Sequence, residues 1–138
     1  MGRAVQAFTL LVIGGSLYVL LELLFRGYSH FTMFLLGGIM FLLIGGINNW
    51  LPWSMGIVWQ CLLGMLVITA AEFAAGCILN LWLGLGIWDY SNMPCNLLGQ
   101  ICLPFMGVWF FLSGLAVFLD DWLRYWLFGE ERPTYTII

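Results

Sequence analysis

The chain predicts an all-α fold: a four-helix transmembrane bundle with an apolar loop between its third and fourth helices. Three observations carry this. Only 8% of the 138 residues are charged, whereas a soluble domain carries about 25%. The mean hydropathy is +1.02, so lipid rather than water suits the surface. The apolar residues also fall into four runs, 4–25, 31–50, 54–83 and 96–119. Each is near or above the roughly 20 residues that a helix needs to cross the hydrocarbon layer. Residues 1–128 therefore read as a single four-span transmembrane domain, and 129–138 as a short exposed tail.

The first run lies between Arg3 and Arg26. It is longer than the apolar region of a signal peptide, about 7–15 residues, and Glu22-Leu-Leu-Phe-Arg26 follows where a small-residue cleavage site would stand. It reads as a retained helix. Glu22 and Arg26 are spaced i, i+4 and share a helix face with Tyr18, either as a snorkelling interfacial pair or as the lining of a polar cavity. Gly27-Tyr28-Ser29-His30 is a turn, with His30 in a structural, interfacial role.

In the second run Gly38 and Gly45 lie two turns apart on nearly one face, where a neighbouring backbone can approach closely. Asn48-Asn49-Trp50-Leu51-Pro52-Trp53 ends it as a turn with interfacial Trp. The third run would extend about 45 Å as a helix, so a tilt or a protruding end is expected. Glu72 lies just past its midpoint. Thr69, Glu72, Gly76 and Asn80 step by three or four residues and form one polar, small-residue stripe that should face protein or water.

Gly84-Leu-Gly86 breaks this helix. The connection to about Cys95 is apolar for a loop, and it can lie in the interface or dip into the membrane against protein. Within it stand Trp88, Asp89, Tyr90, Ser91 and Pro94. Asp89 and Ser91 suit a tight turn, and Pro94 suits the opening of the next helix. Asn96 and Gln100 would begin one face of the fourth helix, and Gly107 and Gly114 repeat the packing spacing. Asp120-Asp121-Trp122 closes the run.

The four cysteines, Cys61, Cys77, Cys95 and Cys102, form no CxxC pair, and the lone His30 is distant in sequence. They read as small packing residues, and no metal site or cofactor is expected. Nucleic-acid binding is excluded by the lack of any basic patch. With four spans both termini share one side. Arg3, Arg124 and Arg132 then oppose Arg26, and the positive-inside rule places both termini in the cytoplasm.

The stretch Glu72, Gly76, Asn80, Trp88-Asp89-Tyr90-Ser91, Pro94, Asn96 and Gly99-Gln100 carries a resemblance. The chain resembles the ABC-transporter type IV, or CmpB-like, family of small bacterial membrane proteins, with a further similarity to the animal transmembrane protein 229 group. The resemblance runs from about Glu22 to Trp122 and implies a permease component of the bacterial cytoplasmic membrane. The sequence has no GxxxxGK[ST] phosphate loop, so a permease of this kind would need a separate ATPase and a second copy of the chain.

The function expected is a transport or channel-like component. Glu22, Arg26, Glu72, Asn80, Asp89, Asn96 and Gln100 would form a polar intramembrane site, whose negative balance favours a cation or a polar solute. The alternative is a non-transporting adaptor, assembly or regulatory protein locked together by the same groups. An intramembrane enzyme using Glu72, Asp89 and Ser91, or a holin-like pore, ranks behind both, since no catalytic spacing supports the enzyme.

Overall fold

The computed structural model describes residues 2–52 and 55–137. Trp53, expected as an interfacial residue, lies outside the described residues. The helices are α1 (Arg3–Arg26), α2 (Phe31–Gly45), α3 (Ile47–Trp50), α4 (Ile57–Gly76) and α5 (Leu103–Phe128). A π-helical stretch, Cys77–Trp82, continues α4, and two short strands, β1 (Asn96–Leu97) and β2 (Ile101–Cys102), precede α5. Three helical stretches are long and apolar enough to cross a membrane: α1, α4 with its π-helical extension, and α5. The second run is split. α2 has 15 residues, about 22 Å at helical rise, and the short α3 continues it beyond Gly46.

Glycines decide which helices touch. A Cβ on Gly38 would stand 2.6 Å from the backbone oxygen of Leu11, and one on Gly15 would stand 2.5 Å from that of Phe34. The α1 and α2 backbones therefore approach on both sides through missing side chains. Gly45 shares the Gly38 face but meets a different partner, Asp120 of α5, at 2.6 Å. Gly64 of α4 meets Ser113 of α5, and Gly114 of α5 meets Cys61 of α4. Gly107, expected as a packing position, has nothing within 4 Å of where a Cβ would be. α1 thus lies on α2, α2 on α5, and α5 on α4, while α1 makes only sparse contact with α4 and α5.

The fourth run corrects the sequence reading. Residues 96–102 are not helical: they form an antiparallel hairpin in which Asn96 pairs with Cys102 and Leu97 with Ile101. The reason is local. Leu98 and Gly99 have φ of 54° and 72°, in the left-handed region that ends a helix. The Asn96 amide bonds the Met93 carbonyl and the Gly99 N–H instead of joining a helix face. Pro104, in the first turn of α5, rather than Pro94, opens the last helix, where its missing N–H is no loss. α5 then runs on past Asp120-Asp121, because both carboxylates are buried against partners. Asp120 pairs with Arg124 at 2.7 Å, and Asp121 accepts from Asn48 at 2.7 Å and Tyr135 at 3.0 Å.

The tail is mostly exposed but is tied to the bundle. The Thr136 and Ile137 carbonyls accept from the Ile57 and Val58 amides at 2.7 and 3.1 Å, so the C-terminal segment caps the otherwise orphaned first turn of α4. Pro133 is buried, and Tyr135 packs on the Ile44, Ile47 and Val117 cluster and edge-on to Phe118. Truncation after Arg132 is therefore expected to cost about 2 kcal/mol or more, from the Tyr135 burial and the lost caps. Thermal unfolding in detergent checks this, with Tyr135→Phe losing only the bond to Asp121. A truncated chain melting with the full-length protein would show that the tail contributes nothing.

Candidate functional site

Glu72 projects from α4 into the interior and is 6% exposed. Tyr90 from the loop donates its hydroxyl to one carboxylate oxygen at 3.1 Å, and the Trp109 indole of α5 donates to the other at 3.2 Å. Neither bond comes from Arg26, Asn96 or Gln100, which the sequence grouped with Glu72 in one polar site. Arg26 is engaged elsewhere: it forms an ion pair with Glu22 at 3.0 Å and donates to the Ile87 carbonyl at 2.9 Å. Glu22 is itself buried, and Arg26 compensates its charge. Both hydrogen-bond donors to the buried Glu72 carboxylate are neutral.

The loop is positioned by α4's irregular end. The π-helical stretch widens the helix at Asn80. The Asn80 side chain then donates to Gln100 at 2.8 Å and accepts the Ile87 N–H at 2.7 Å. Gly76 leaves room for this: a Cβ there would stand 2.6 Å from the Gln100 side-chain oxygen. Trp88 is buried and donates its indole N–H to the Gln100 carbonyl at 3.0 Å. Tyr90 stacks on Phe105 with ring centroids 4.9 Å apart, which brings its hydroxyl to Glu72. Burial, reinforced by the Glu72 charge, pushes the Tyr90 hydroxyl well above its ordinary range, so it remains a donor. The loop thus packs against the start of α5 and delivers a hydrogen bond to the bundle interior.

Apart from Glu72, the six other polar residues singled out in the sequence separate into three places. Glu22 and Arg26 form the ion pair beside the loop. Asn80 and Gln100 hold the loop to α4. Asp89 and Asn96 are exposed and stabilise turns. Asp89 accepts from the Ser91 N–H at 2.9 Å and from its hydroxyl at 2.5 Å. These bonds hold the Asp89 carboxyl below the usual carboxylate range. Ser91 is thereby a turn residue, and Pro94 is exposed in the same loop.

A cavity of about 310 Å³ adjoins Glu72, lined by α1, α2, α4 and α5. Its walls are almost wholly apolar, from Leu21, Phe41, Ile68, Leu112 and their neighbours, and Tyr18, Glu72 and Trp109 also line it. It exists because α1 leans on α2 and leaves a gap towards α4 and α5. Sequence reasoning placed Tyr18 on the Glu22 face but missed Trp109. The available signal was a Trp well inside the fourth apolar run, away from the interfaces where Trp gathers. A second polar cluster lies at the other end of the bundle. There Gln60, Asn48, Asp121 and Tyr135 form a connected network, with the Arg124–Asp120 pair beside it.

This is a polytopic α-helical membrane protein with a buried carboxylate beside a cavity between its helices. It belongs to the family described as "Putative ABC-transporter type IV", which matches residues 10–130. No curated protein and no solved structure matches the chain.

Proposed function

We propose that the chain is a membrane transport component, a permease subunit whose single transmembrane domain holds a site for a cation or polar solute centred on Glu72. The observation that carries this is the buried Glu72 carboxylate on the wall of an intramembrane cavity, held by neutral donors alone. A carboxylate at membrane depth is costly, about 2.5–3.5 kcal/mol on insertion scales, and helix packing alone does not require one. The family supports the same reading and a separate ATPase as partner, because this sequence has no phosphate-binding loop. A homodimer would double the four-helix unit. The location proposed is the bacterial cytoplasmic membrane with both termini cytoplasmic, from the Arg distribution.

An adaptor would need helix faces free for a partner, but Gly14, Gly15, Gly37, Gly38, Gly45 and Gly64 all meet atoms of their own chain. They hold this bundle together and are not free for a partner helix. The test is flux from proteoliposomes carrying a panel of cations and polar solutes, for the chain alone and for the complex that co-purifies with it. Solute movement above empty liposomes, lost in Glu72→Gln, is the expected result. No movement in either preparation would overturn the transport reading.

A further inference from the structure

We infer that the cavity beside Glu72 is a binding site for a lipophilic ammonium ion, an apolar tail carrying one positively charged head, which enters sideways from the bilayer. This rests on the site proposed above and names its substrate class.

Charge is the first argument. Among the described residues Arg26 is paired with Glu22, and Arg124 with Asp120 and Glu130. Glu72 receives only the Tyr90 hydroxyl and the Trp109 indole, one on each oxygen. A carboxylate has about four acceptor positions, so capacity and charge remain for a ligand. With Glu22 and Arg26 paired, an ionised Glu72 carries the one uncompensated charge of this locality.

The aromatic setting is the second. Tyr18 and Trp109 both line the cavity, with ring centroids 6.3 Å apart. Phe105 stands behind Trp109 at 6.1 Å and continues to Tyr90. Aromatic rings around a carboxylate suit a quaternary ammonium head, which is held by charge and by the rings' negative faces and asks for no hydrogen bonds. A small hydrated metal ion asks for several oxygen ligands instead, and these walls offer none beyond Glu72 and Tyr18.

The shape is the third. A volume of about 310 Å³ falls at the small end of the range for small-molecule sites, about 300–1,000 Å³. It is too small for another helix, whose diameter with side chains is about 10 Å. Leu17, Leu20 and Leu115 line the cavity and are 38, 51 and 62% exposed, so its mouth is apolar and opens where α1 parts from α5. A tail already dissolved in lipid passes such a mouth without leaving an apolar medium, while its head travels to Glu72.

The experiment is equilibrium binding of radiolabelled decyltrimethylammonium to the full chain in nanodiscs. Saturable binding is expected, weakened at least about ten-fold in Glu72→Gln, since removing one partner of a buried charge pair costs several kilocalories. The cavity-filling Ala71→Phe, which leaves the carboxylate in place, is expected to weaken it comparably. Thermal unfolding of both variants identifies any that fails to fold, and the other then decides. Tetramethylammonium, without a tail, and decyl sulfate, with the opposite charge, are expected to compete poorly. Equal competition by decyl sulfate or decanol would show a lipid-tail groove and overturn the assignment, as would equal competition by tetramethylammonium or the absence of saturable binding. Glu72-dependent binding without flux would sink the transport reading alone. Flux of small solutes without ammonium binding would sink the substrate class alone.

Discussion

Gly38→Ala is expected to destabilise the bundle by about 2–3 kcal/mol, the upper part of the range for overpacking a filled contact. The added methyl would stand 2.6 Å from the Leu11 backbone oxygen, and no rotamer change moves a backbone. Alanine's better helix propensity returns at most about 1 kcal/mol, so the clash wins. Gly15→Ala should behave alike, because its methyl meets the Phe34 backbone oxygen at 2.5 Å. Gly107→Ala is the control, with open space around it, and should be neutral or slightly stabilising. Thermal unfolding in detergent separates the cases. If Gly38→Ala and Gly107→Ala melted together, the close approach of α1 and α2 would not be a determinant of stability.

The same contrast shows how far spacing can be read. A seven-residue glycine interval marks one helix face, and Gly38 and Gly45 do share one. It does not say what that face meets, and these two meet different helices. Gly107 has the same interval to Gly114 and meets nothing. The membrane class and the helical runs were legible because composition and run length respond to the solvent, and lipid leaves little choice. The start of α5 was not legible. The i, i+4 spacing of Asn96 and Gln100 fits a helix as well as a hairpin, and the decision rests on Leu98 and Gly99 taking left-handed backbone. Glu72 stood out because a carboxylate deep in an apolar run must be accommodated. Its partners did not, since Tyr90 and Trp109 reach it through a loop fold and a helix pairing that no local pattern encodes. The tail's attachment was not legible for a related reason: the Thr136 and Ile137 carbonyls gain partners only beside the bare first turn of α4.

Glu72→Ala is expected to lower stability by about 1–3 kcal/mol, and Glu72→Gln to leave it within about 0.5 kcal/mol while abolishing transport. The cost of placing a carboxylate in the bilayer does not set these values, because the unfolded chain in a membrane keeps Glu72 there too. What differs is the pair of hydrogen bonds from Tyr90 and Trp109. Interhelical bonds of this kind average about 0.6 kcal/mol and reach about 1.7, and the alanine also enlarges the adjoining cavity. Glutamine can satisfy both neighbours. Its carbonyl accepts from the Trp109 N–H, which can only donate. Its amide donates to the Tyr90 oxygen, because a hydroxyl can turn to accept. The geometry survives and only the charge is lost. Thermal unfolding of both variants in detergent, followed by flux and cation binding, therefore separates two roles. A residue that merely ties loop to bundle would give a Gln variant with full activity. A residue that holds a cation would give a folded, inactive one. Wild-type stability and wild-type activity in Glu72→Ala would remove Glu72 from the site and leave the cavity without its polar centre.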